Sequence, residues 1–175
     1  GEFINSSGKY KYRYKRIHPK THRVMYDTTA VRENGDIQSV RFEGGLFGSV
    51  NEGYWRVKTY FYDSERGIPG AIVNNRWMNP QRQWDRSFFV QGVYRKNVTS
   101  KYDILVNGKY AYDYMRYVNP DTTLMLIDNT FKQCEEYLSI ANRYAITSWW
   151  DAVLSADVQN NTLTSDLAGF VFPKR

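Results

Sequence analysis

The 175-residue chain carries 24 Lys/Arg against 18 Asp/Glu, a net charge of +6, and 17% of its residues are aromatic. Disordered chains are poor in aromatic residues, which favour pleated, half-buried surfaces, so an ordered protein with much sheet is expected. A single cysteine, Cys134, excludes an intrachain disulfide scaffold and a cysteine-rich zinc site, and no apolar run is long enough to span a membrane.

The opening Gly1-Glu2-Phe3 reads as a restriction-site remnant, which implies a trimmed N-terminus from which a signal peptide or lipid anchor could have been removed. Residues 1–8 are expected to be a flexible leader and 9–175 one domain. From Lys9 to Lys15 tyrosines alternate with cations, which puts Tyr10, Tyr12 and Tyr14 on one face of a strand and the cations on the other. His18-Pro19-Lys20-Thr21 reads as a turn. Asn34-Gly35 is a hairpin signal between strands near 23–30 and 37–42.

Residues 55–62 alternate strictly, with Trp55, Val57, Thr59 and Phe61 on one side and Arg56, Lys58, Tyr60 and Tyr62 on the other. Residues 63–86 hold several Gly, Pro and Asn and read as a long irregular loop. Strands resume at 87–94 and 101–106, and Asn107-Gly108 reads as a second hairpin turn into 109–117. Asn119-Pro120-Asp121-Thr122 resembles a helix start. Leu124, Ile127, Phe131, Cys134, Leu138 and Ala141 then follow at steps of three and four, the stripe of an amphipathic helix. A short helix from Ser148 and a final strand at 167–172 complete the expectation. The fold class is therefore α+β: an antiparallel sheet of five or more strands packed against one main C-terminal helix, with a short second helix and a last strand.

Catalytic chemistry finds little support. His18 and His22 have the spacing of a helical metal pair, but Pro19 lies between them and strands flank them. Glu135 and Glu136 are neighbours, and on a helix neighbours point about 100° apart. No glycine-rich phosphate loop leads into a helix. No enzyme, metal or cofactor is expected, and no residue is assigned a catalytic role.

Two segments interleave rings with cations. The first holds Tyr10, Tyr12, Arg13, Tyr14 and Arg16, and the second holds Arg76, Trp77, Arg82, Trp84 and Arg86 inside the long loop. Such surfaces stack bases, sugars or protein side chains. A strand with tyrosines inward and cations outward is equally an edge protected from aggregation. The loop segment is the better candidate, since binding residues concentrate on loops.

Residues 26–37, with Tyr26-Asp27-Thr28-Thr29 leading into Asn34-Gly35-Asp36-Ile37, resemble the opening of the bacterial surface-adhesin protein E family. Tyr102-Asp103-Ile104-Leu105-Val106-Asn107 resembles the strand before that family's helix, and Asn119 to Leu124 resembles the helix start. The resemblance touches about half the chain. It implies a secreted or surface-anchored sheet-plus-helix module that binds host macromolecules without catalysis. It also implies a strand cysteine paired with a helix cysteine. Cys134 would be the helix partner, and Asn107 and Gly108 stand near the strand position.

The expected function is a non-enzymatic, extracytoplasmic, adhesin-like binding module for a protein or glycan. The alternatives are a nucleic-acid-binding or coat protein with a basic N-terminal arm, and a self-assembling structural subunit that forms homo-oligomers.

Overall fold

The computed structural model describes residues 1–70, 80–122, 126–167 and 169. It is built from strands throughout. In chain order they are β1 (Glu2–Ser6), β2 (Lys11–Ile17), β3 (Val24–Val31), β4 (Ile37–Val50), β5 (Gly53–Ile68), β6 (Gln81–Thr99), β7 (Tyr102–Asn119), β8 (Ile127–Ala145) and β9 (Asp151–Ser165). Seven form one antiparallel sheet in the order β1-β4-β5-β6-β7-β8-β9, and β2 and β3 form a separate hairpin.

From β4 to β9 the sheet is an up-and-down meander in which each strand pairs with its sequence neighbours. The connections alternate in length. At one end Asn51-Glu52 and Ser100-Lys101 are two-residue turns, and residues 146–150 make a short third one. At the other end lie the β2–β3 hairpin and the connections 69–80 and 120–126. Strand termination is local chemistry. β7 stops at Asn119, ahead of Pro120, which has no N–H to give the ladder. The Asn119 Oδ1 accepts the Asp121 N–H at 3.2 Å to begin the turn.

The helix expected over 124–144 is instead β8, paired with β7 on one side and β9 on the other. The stripe that suggested a helix divides between two faces: Phe131 and Ala141 lie on one, Cys134 and Leu138 on the other. A strand with apolar residues on both sides matches steps of three and four by coincidence. In place of the short helix expected from Ser148, the chain makes the 146–150 turn and enters β9 at Asp151, and no helix occurs among the described residues. The fold is all-β, so the α+β assignment is wrong. Most of the expected final strand, and Leu124, fall outside the described residues.

Three turn assignments also change. Asn107-Gly108 lies mid-strand in β7, with Gly108 opposite Gly92 and Leu138, and the hairpin turns at Ser100-Lys101 instead. Asn34-Gly35 is not a hairpin turn, because β3 pairs with β2 while β4 pairs with β1 and β5. The irregular stretch expected over 63–86 is narrower, because β5 runs to Ile68 and β6 starts at Gln81. Glu2–Ser6, inside the expected leader, pairs with β4 from Arg41 to Ile37. The alternation read over 55–62 and the turn at His18–Thr21 are as expected.

No second layer covers the sheet among the described residues. Among the described residues Ala111 is the one buried apolar side chain, while Leu46, Leu138, Leu154 and Val158 are exposed. The backbone ladder and lateral side-chain pairs therefore hold this structure together. Glycines mark where strands approach closely. A Cβ on Gly53, beside the tight β4–β5 turn, would collide with the Arg95 carbonyl oxygen, whereas one on Gly92 would meet nothing within 4 Å. Gly53→Ala should lower stability by about 1–3 kcal/mol and Gly92→Ala should lower it not at all, as read from urea unfolding midpoints.

Candidate functional site

Register assigns every residue of β4–β9 to one of two faces, since directly opposed residues share a face and alternate along each strand. One face carries four successive cross-strand rows: Phe42-Phe61-Phe88-Tyr112-Cys134, then Gly44-Thr59-Val90-Tyr110-Glu136-Asn160, then Leu46-Val57-Gly92-Gly108-Leu138-Val158 and Gly48-Trp55-Tyr94-Val106-Ile140-Ala156. In this span its one charged residue is Glu136, to which Asn160 donates at 3.2 Å. The opposite face over the same span carries Glu43, Arg56, Lys58, Lys109, Glu135 and Asp157. There Lys109 and Glu135 pair at 2.8 Å, and Tyr60 stacks on Phe89 with ring centroids 5.4 Å apart.

The apolar face is therefore a band edged by rings. Phe42, Phe61, Phe88 and Tyr112 stand toward the long connections, and Trp55, Tyr94 and Tyr144 toward the short turns. Where Gly92 meets Gly108 the band has a shallow hollow of about 520 Å³, lined by Val57, Val90, Leu138 and Val158 among others. Cys134 is a free, half-buried thiol within the band and not a helix residue.

Beyond the first row of rings the same face turns charged, and here the structure places Arg82, Trp84 and Arg86. They are not on a loop; they occupy alternate positions of β6. Arg86 donates to Asp63 at 2.6 Å. Trp84 lies beneath the guanidinium of Arg116, 5.6 Å from its ring centroid, and Arg116 in turn pairs with Asp128 at 2.6 Å, holding that carboxyl below its usual range. Arg82 donates to Asp36 at 2.8 Å, to Glu65 at 2.9 Å and to Asn34 at 3.3 Å. These contacts fasten the root of the β2–β3 hairpin, where Asn34 takes a left-handed φ of 55° and donates to the Gln81 carbonyl at 2.7 Å. Arg76 and Trp77 lie outside the described residues.

The hairpin holds the other sequence candidates. Tyr12 and Tyr14 are half-buried on one face of β2, and the exposed Arg13 on the other pairs with Asp27 through two bonds of 2.8 and 2.6 Å. Tyr10 and Tyr12 approach to 6.1 Å between centroids, and Tyr14 meets Tyr26 edge-on at 6.0 Å. Arg16 is exposed opposite Tyr26. His18 is part of the turn: its Nδ1 accepts the N–H groups of Lys20 and Thr21, each at 3.2 Å. The two candidate clusters are therefore separate, one on the hairpin and one on the sheet below it. The apolar band was missed in the sequence, although its signal, alternation sustained over successive strands, was present.

No family model matches this chain, and no curated protein matches it in sequence.

The Arg82 guanidinium holds the Asp36 carboxyl below its ordinary range, mainly through their hydrogen bond. A carboxyl whose pKa is depressed on folding adds stability above its unfolded value and loses it as pH falls through the folded value. Unfolding midpoints should therefore drop as pH falls below about 4, and Asp36→Asn should remove part of that drop. Arg82→Ala should cost about 1 kcal/mol at neutral pH, as a partly exposed network allows.

Proposed function

We propose that this chain is a wall segment of a membrane-spanning β-barrel, non-enzymatic and extracytoplasmic, with its apolar face toward lipid and its charged face toward an aqueous interior. The observation that carries it is the uncovered apolar band bounded by aromatic rows on a sheet whose other face is charged. In water such a sheet needs a covering layer, and in a bilayer the acyl chains supply it. Long runs of apolar residues are not needed, because only alternate residues meet lipid.

On β7 alone the apolar side chains of this face run from Ile104 to Tyr114, about 34 Å along the strand. The rows that are apolar across the neighbouring strands run from Val106 to Tyr112, about 20 Å along the strand and about 16 Å in height at a ~40° tilt, against a hydrophobic band of ~25 Å that the flanking Ile104 and Tyr114 would have to complete. The polar boundary also shifts toward the short turns from β7 to β9, where Glu136 and Asn160 sit level with Tyr110. Tilted strands crossing a level membrane produce that drift. Short turns at one end and longer connections at the other are the usual arrangement of such walls.

The sheet's edges support the same reading. Among the described residues the outer edges of β9 and of β4 from Phe42 onward have no partner strand, and both stretches are long and free of Lys and Pro, the residues that blunt an exposed edge. Lipid tolerates no open edge, so these strands would be paired by strands beyond the seven. Closure by further copies of the chain is the form in which the self-assembling alternative survives. The β2–β3 hairpin would emerge beyond the band on the side of the long connections.

Two measurements test the wall. With Trp55 kept as the only tryptophan, its fluorescence should be quenched by phosphatidylcholine brominated on the acyl chains, whereas a variant keeping only Trp84 should be quenched far less; equal quenching would contradict the proposal. Leu138→Arg, at the middle of the band, should destabilise the inserted protein by about 2–4 kcal/mol, and Gln159→Arg, at an exposed position of the charged face, should change it little.

A further inference from the structure

The net charge of the chain resides in one place. Residues 9–33 hold eight Lys/Arg against two acidic residues, and the rest of the chain holds sixteen of each. The +6 of the protein is therefore the charge of residues 9–33, the β2–β3 hairpin with its immediate flanks. Lys11, Arg13 and Lys15 stand exposed at alternate positions of one face, about 6.8 Å apart. Arg16, Lys20 and Arg23 are exposed around the turn. Among the described residues the two strands pack chiefly on each other.

The tip carries a second feature. Ile17, Val24 and Met25 are 49%, 51% and 56% exposed, and Ile17 lies opposite Val24 across the hairpin. Aliphatic side chains held in water beside a ring of cations need a partner that takes both. Phosphate oxygens of nucleic acid would engage the cations, and bases would stack on the tyrosines, but neither accommodates an aliphatic cluster. The surface of an anionic bilayer does: cations meet the lipid phosphates, tyrosine rings lie at headgroup level, and aliphatic groups enter the acyl boundary.

We propose that the β2–β3 hairpin docks on the phosphate-bearing surface of an anionic bilayer, with Ile17, Val24 and Met25 inserted at the acyl boundary and Lys11, Lys15 and Arg16 against lipid phosphates. The inference rests on the wall reading for the presence of a bilayer near the root of the hairpin. The turn is prepared for this role. The His22 N–H donates to the His18 carbonyl at 3.0 Å and the His18 N–H to the Arg23 carbonyl at 2.9 Å, so the tip is ordered before it meets lipid.

Trypsin cleavage after Lys20 and Arg23 reads docking directly. The full chain is reconstituted in vesicles of phosphatidylcholine alone and of phosphatidylcholine with phosphatidylglycerol, and rates are compared for molecules whose hairpin faces outward. Cleavage should be much slower with phosphatidylglycerol, and high salt should restore it. Lys11→Gln with Lys15→Gln should weaken protection about 25-fold, at about five-fold per cation near an anionic surface. Val24→Ser with Met25→Ser should weaken it in a way that salt does not mimic. Equal rates in the two vesicle types would overturn the proposal. So would equal protection from inorganic phosphate or a single-stranded oligonucleotide added to phosphatidylcholine vesicles, or full protection in the Val24→Ser/Met25→Ser variant. Trp55 quenching in the phosphatidylcholine samples reports on the wall separately, so failure of the hairpin and failure of the wall are distinguishable.

Discussion

The structure depends on an unbroken antiparallel ladder from β4 to β9. Over this span each strand pairs residue for residue with its neighbour, and the one irregularity falls at Asn97/Thr99, beside the Ser100-Lys101 turn. A bulge inside the band would send every later side chain of that strand to the opposite face. Because none occurs there, Val57, Val90, Leu138 and Val158 fall on one face and Lys58, Lys109 and Glu135 on the other. The segregation of apolar from charged surface is a consequence of register, and the functional proposal follows from that segregation.

With no second layer among the described residues, stability is distributed differently from that of a packed globular domain. Ladder hydrogen bonds are supplemented by lateral pairs: Lys109 with Glu135, Arg86 with Asp63, Arg116 with Asp128, and Tyr60 stacked on Phe89. Pairs this exposed contribute little singly in water. The apolar face would contribute most where something covers it. The hairpin is held at a single root, through Arg82, Asp36, Glu65 and Asn34, which leaves its cationic and aliphatic tip clear of the sheet.

Much of the local structure was legible in the sequence, and the fold class was not. Trp55 to Tyr62 alternates so strictly that both faces could be assigned before the register was known. Tyr10, Tyr12 and Tyr14 likewise share a face, and His18 to Thr21 turns as its Pro implies. The segment 127–145 misled because Phe131, Tyr137 and Ala141 make the charged face partly apolar, so a two-residue period and a helical one fit equally well. Asn107-Gly108 misled for a different reason. A glycine there hollows the apolar band opposite Gly92, a role that turn propensity cannot distinguish from a hairpin.

The ion pairs that occupy Arg82 and Arg86 were invisible, because their partners Asp36, Glu65 and Asp63 are 17 to 46 residues away in the chain. The apolar band was hidden in the same way. It is a property of six strands in register, and each contributes only a few residues separated by polar ones. The lack of a long apolar run bears on membrane helices alone and says nothing of strands.

The central claim, that alternate residues of one ladder face lipid and water, is tested most directly by a nitroxide scan along β7 from Leu105 to Met115 in phosphatidylcholine vesicles, with Cys134 replaced by serine. Collision with oxygen, which concentrates in the acyl region, should be high at positions 106, 108, 110 and 112 and low at 107, 109, 111 and 113, and a water-soluble relaxant should show the opposite phase. Accessibility to the water-soluble relaxant at every position, or a period near 3.6, would contradict it.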